Sequence, residues 1–191
     1  MIADLDNIND IIKAEGLDLL VISYGGSCSN TLINVFKKNN YNCDTKIWKI
    51  LLCHCPRYIN VDIPIIYIYD NPIKSFMSMK NRANKPWITN QKKLSNNTNV
   101  DISDENLLKL MINQFNEFTN IKSDNVLVIN SKELFEDTIV NKLENFLGKK
   151  LDGFPIEYIK PKTDINNIED IQLLELFKKY KSDIDIINNF K

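Results

Sequence analysis

The chain is poor in several residues that mark specialised proteins. It has one histidine, His54, and two arginines, Arg57 and Arg82. It has no basic excess: 24 Lys and Arg stand against 25 Asp and Glu, a formal net charge of −1. A coat for nucleic acid or an anionic membrane needs that excess, so the balance argues against both partners. No apolar run approaches the roughly 20 residues that span a bilayer. Met1–Glu15 is acidic and amphipathic and lacks the basic and apolar regions of a secretory leader. Cysteines number four, at 28, 43, 53 and 55. Cys53 and Cys55 have no second pair to complete a zinc site, so no metal is expected. They read as small, semi-buried thiols of a reduced, cytoplasmic compartment.

What is present fits one domain, 1–191, with 43% hydrophobic and 26% charged residues. Short apolar runs alternate with helical patterns. Leu17–Ser23 reads as a buried strand leading through Tyr24-Gly25-Gly26-Ser27 to a helix over Asn30–Asn39. A weaker strand is expected at Ile47–Leu52. Ile63–Tyr69 is β-branched and aromatic throughout, and Pro72 suits the first turn of a helix running to about Arg82. Asn84–Asn99 is polar and reads as a surface loop or lid containing Pro86-Trp87. Ser103 is a suitable N-cap for a helix over Glu105–Asn120, whose Leu107, Leu110, Met111, Gln114, Phe115 and Phe118 share a face. A strand at Asn125–Ile129, a helix at Val140–Leu147 stopped by Gly148, and a final helix at Ile168–Lys181 complete the pattern. Strands apolar on both faces and alternating with helices predict an α/β fold, a parallel sheet covered on both sides.

A tight glycine turn between a buried strand and a helix gathers backbone N–H groups at the positive end of the helix, and so suits an anion. Gly25, Gly26, Ser27, Cys28, Ser29, Asn30 and Thr31 have this form, with hydroxyl and amide side chains as further donors. No Gly-Lys-[Ser/Thr] follows, which speaks against a Walker-type kinase or ATPase. Taken alone, the loop is equally a structural turn.

The order of motifs adds to this. Ser23–Thr31 looks like the phosphosulfate-binding loop of sulfotransferases, commonly Y-P-K-S-G-T-T-W. Cys53-His54-Cys55-Pro56 is similar to the family's T-H-x-P. Ile65–Ser78, I-I-Y-I-Y-D-N-P-I-K-S-F-M-S, looks like I-Y-V-x-R-N-P-x-D-x-x-x-S. Val126–Gly148 is similar to V-L-x-x-x-Y-E-D-x-x-x-D followed by I-x-x-F-L-G. The chain therefore resembles the P-loop sulfotransferase family as a divergent member, over roughly two thirds of its length.

The resemblance implies a three-layer α/β/α, P-loop NTPase-like sulfotransferase fold with a central parallel sheet. It implies transfer of a sulfuryl group from 3′-phosphoadenosine-5′-phosphosulfate (PAPS) to a hydroxyl or amine, with no metal. His54 would be the general base; an unperturbed imidazole titrates near neutrality and suits the task. The alternative for a lone histidine is a surface or structural role. Residues 25–31 and Ser78 would hold the nucleotide, with Arg82, Lys160 and Lys162 as basic groups near its 3′-phosphate. Ordinary solvated lysines are the alternative for the last two. Gly26 stands where the family has the loop lysine, and Asp70 where it has the 3′-phosphate arginine. A carboxylate facing a phosphate costs energy unless it turns away or pairs with a cation. Lys74 and Arg82, on the helix that carries Ser78, are the candidates to hold the 3′-phosphate in the arginine's stead. Two further readings stay open. One is a degenerate relative that binds a nucleotide or a partner without chemistry; the other is another P-loop transferase such as a small-molecule kinase. The acceptor is not marked.

Overall fold

In a computed structural model of the chain, residues 8–43, 46–47, 50–81, 103–154, 156–157 and 168–190 are described. Arg82, Lys160, Lys162 and the polar stretch at 84–99 lie outside them.

The apolar runs form three parallel strands, β1 (Leu20–Ile22), β4 (Ile65–Tyr69) and β5 (Val126–Asn130), in the order β1-β4-β5. Leu20 stands beside Ile65 and Ile65 beside Val126, so one register runs across the sheet. All five residues of β4 are buried, as expected of a strand bonded on both edges and covered on both faces. The expected strand at Ile47–Leu52 does not form. Instead β2 (Lys46–Ile47) and β3 (Ile50–Leu51) make a small antiparallel pair, followed by a 3-10 turn at Leu52–His54. The reason is local, since a short apolar run interrupted by Lys49 does not distinguish one strand from an antiparallel pair.

Helices cover both sheet faces. On one side Leu20, Ile22, Ile65, Tyr67 and Tyr69 pack with α1 (Ile8–Glu15), α3 (Pro72–Asn81), α4 (Asp104–Asn120), α6 (Ile171–Lys179) and α7 (Lys181–Asn189). On the other, Leu19, Val21, Ile66, Ile68 and Ile129 pack with α2 (Ser29–Lys38) and α5 (Ile139–Leu147). The two-residue alternation of a strand divides its apolar side chains between these layers. The helix expected at Ile168–Lys181 forms as α6, but it is not the last: α7 follows after Tyr180, whose carbonyl accepts the first bond of α7. The N-cap at Ser103 is as expected: its side chain accepts from the Asn106 N–H.

Aromatic packing fixes the sheet against α4. Tyr67 stacks on Phe118 with ring centroids 4.4 Å apart and planes 7° apart, a contact worth about 0.5–1.5 kcal/mol beyond area burial. No helix among the described residues is long and apolar enough to cross a membrane.

Candidate functional site

The C-terminal ends of β1 and β4 meet at the glycine loop, the edge where parallel sheets carry their ligand sites. Gly25 has φ +126° and Gly26 φ +71°, conformations that L side chains rarely adopt. Both also lack room. A Cβ on Gly25 would run into the Met79 sulfur, and one on Gly26 would lie 3.1 Å from Ser75 Cα and Ser78 Cβ. The pair of glycines thus lets α3 approach the loop backbone closely.

Cys28 is also left-handed, at φ 63° and ψ 13°, and precedes α2 without a side-chain cap. For a non-glycine residue this conformation costs about 1–2 kcal/mol, so the surrounding loop must hold it. Two bonds do so: Ser23 Oγ lies 3.0 Å from Ser29 Oγ, and Ser27 Oγ donates to the Ile68 carbonyl at 3.2 Å. The N–H groups of Gly25, Gly26, Ser27, Ser29 and Asn30 have no acceptor among the described residues. Unsatisfied donors of this kind, ahead of a helix, are what an anionic ligand would satisfy. Thr31 differs: its N–H is bonded to the Cys28 carbonyl as part of the helix start.

His54 stands at the root of this loop. Its Nδ1 lies 3.0 Å from the Ser23 carbonyl oxygen. A carbonyl only accepts, so Nδ1 carries the proton and the lone pair of the neutral ring is on Nε2. The backbone is anchored as well, since the Ser23 N–H donates to the Cys53 carbonyl at 2.7 Å. Cys53 and Cys55 turn into opposite packing layers and are not a chelating pair. Burial pushes the Cys55 thiol up to about 11. None of the four cysteines is in a disulfide, and no group of three metal-ligating side chains occurs among the described residues.

At the end of β4 the Asp70 side chain is 1% exposed and ion-paired with Lys74, one helical turn along. Asp70 also accepts from the Asn71 N–H at 2.7 Å. The Asp70 carboxylate therefore has its own cation, which leaves Lys74 committed to it. Ser78, on the next turns of α3, is buried with its Cβ against Gly26, and Ser75 is buried beside it. Between Tyr24, Ser27, Asp70 and Ser75 lies a cavity of about 10 Å³, the size of one water and far below a nucleotide. Protein thus fills the loop on its α3 side, where the sequence led us to expect ligand contacts from Ser78.

The structure therefore brings together the loop, His54 and Ser78. It also shows two features not anticipated from sequence, the Asp70–Lys74 pair and a buried amide, Gln114, near His54. An acidic residue four positions before a lysine was a readable signal for the first. The second had none, because Gln114 falls on the apolar face of α4 and was read with it. No protein-family model matches this chain, and no curated protein or solved structure matches it.

Proposed function

We propose that the chain is a sulfotransferase of the P-loop, three-layer α/β/α type, moving a sulfuryl group from PAPS to a hydroxyl or amine acceptor. In this reading the loop N–H groups from Gly25 to Asn30 hold the anionic oxygens of the donor. His54 Nε2 takes the acceptor proton as the acceptor oxygen or nitrogen bonds to sulfur and the bridging S–O bond breaks. The observation that carries it is the convergence of separate motif segments: the Nδ1 of His54 bonded to the carbonyl that opens the loop, with Ser78 against Gly26. The Nδ1–H tautomer gives Nε2 the lone pair that a general base needs. Cysteines that form no disulfide suit the same reading, a reducing cytoplasmic setting.

A second reading, nucleotide binding without transfer, is favoured by Gly26 in place of the loop lysine and by the commitment of Lys74 to Asp70. Both readings share the anion seat, so binding is tested first. With 3′-phosphoadenosine-5′-phosphate at 100 times its Kd, linkage stabilises a single site by about 2.7 kcal/mol. For a chain of this size that raises Tm by about 5–10 °C. Stabilisation by the bisphosphate and not by ATP with magnesium supports either reading. Sulfuryl transfer that is lost in His54→Ala with nucleotide affinity retained selects the first. A chain stabilised only by ATP with magnesium is a P-loop kinase, and one stabilised by neither has no such site.

A further inference from the structure

We propose that Gln114 is a positioning residue for His54, acting through the carbonyl of Cys55. The inference rests on the reading of His54 as a base but is tested separately from it. Gln114 is 0% exposed on the packed face of α4. Leucine or methionine would fill such a position without needing partners, whereas a buried amide costs free energy unless both ends are bonded. Both ends are. Its Nε2 donates to the Cys55 carbonyl, and its Oε1 accepts from the Tyr67 hydroxyl at 3.3 Å. Burial pushes the Tyr67 phenol far above its ordinary range, so it stays a donor at any working pH. The Cys55 carbonyl only accepts, so it fixes the NH2 end of the amide toward Cys55, and the Tyr67 hydroxyl then satisfies the Oε1 end.

One turn further on α4, Glu117 accepts from the Tyr58 N–H at 3.0 Å. Two side chains of one helix face thus grip the segment leaving His54. On the other side, the Ser23 N–H grips Cys53 at 2.7 Å. The imidazole is carried between two clamps, one from β1 and one from α4, and from there it reaches the Ser23 carbonyl at 3.0 Å. Slackening the α4 clamp lets residues 54–55 drift and weakens the bond that sets the tautomer.

The test uses the whole chain. His54 is the only histidine, so its ring nitrogens and carbons give one unambiguous set of NMR signals. Long-range nitrogen–proton spectra at about pH 8.5, above the ordinary imidazole range, report the two neutral tautomers. The wild type is expected to be mainly Nδ1–H. Gln114→Met keeps length and volume but has no donor, and should lower the Nδ1–H to Nε2–H ratio about fivefold, the loss of one net hydrogen bond. Phe118→Leu removes the stack on Tyr67 and serves as the control for general loosening; its ratio should stay at the wild-type value. A folded Gln114→Met with an unchanged ratio, or Phe118→Leu with an equal fall, makes Gln114 ordinary packing and overturns the proposal. If Gln114→Met does not fold, Tyr67→Phe decides, with a lowered ratio in support and an unchanged one against. A chain that fails the bisphosphate test yet shows the tautomer shift loses the sulfotransferase reading and keeps the clamp.

Discussion

Lys74→Met should be among the most damaging single changes outside the aromatic core. The Asp70 side chain is 1% exposed and its lysine partner 22% exposed. Removing one member of a buried pair costs about 3–5 kcal/mol because the other charge is left uncompensated. Asn71 still donates its N–H to Asp70, so the lower end applies, about 3 kcal/mol. Methionine keeps most of the stem packing, which isolates the charge from the bulk of the side chain. The assay is urea unfolding followed by circular dichroism, with an unchanged m-value as evidence that the unfolding transition is the same. A loss of this size lowers Tm by about 6–12 °C for a chain of this length. The double variant Asp70→Asn/Lys74→Met carries no buried charge at that corner and should return to within about 1 kcal/mol of the wild type. Should Lys74→Met stay within about 1 kcal/mol of the wild type, or the double variant be no better than the single, Asp70 is hydrated and the buried-pair argument is wrong.

Three further outcomes are expected. Cys28→Gly removes the left-handed strain of φ 63° and should stabilise by about 0.5–1 kcal/mol, after the greater backbone entropy of unfolded glycine is subtracted; calorimetry checks it. Gly26→Ala places a Cβ 3.1 Å from the Ser75 backbone at φ +71° and should cost about 2–3 kcal/mol in chemical denaturation. Hydrogen bonds from Lys179, then Tyr180 and Lys109, lower Glu105 from 4.5 to about 2. Its folded value lies below its unfolded value, so its small contribution to stability is present above about 4.5 and is lost as pH falls through about 2. Carboxyl carbon NMR of the native chain should place its titration well below that of the other glutamates.

Much of the architecture was legible because it rests on periodicity. The apolar runs of β1, β4 and β5 name their own strands, and Pro72 and Gly148 mark helix ends through their backbone restrictions. What failed was what periodicity does not carry. Ile47–Leu52 reads as one strand, and Lys46–Ile47 pairs instead with Ile50–Leu51, because a short apolar run interrupted by Lys49 does not distinguish one strand from an antiparallel pair. The end of the chain bends at Tyr180 with no glycine or proline to announce it. At the site, the glycine pair and the lone histidine were visible, and the tautomer of His54 was not, since it depends on a carbonyl 31 residues earlier. Asp70 read as a charge facing an anion, and only the coordinates show it turned to Lys74. The role of Gln114 lay hidden because a polar residue on an apolar stripe reads as noise until its two partners, from Cys55 and Tyr67, are seen.

β4 holds partners along both edges, and none of its five side chains is more than 6% exposed. Its amide protons should therefore exchange with deuterated solvent only through opening of the whole domain. Gly25, Gly26 and Ser27, with no acceptors among the described residues, should exchange orders of magnitude sooner. The molecule thus sets a slow-exchanging strand beside a fast-exchanging loop, and an isotope map would tell frame from mouth without any ligand in hand.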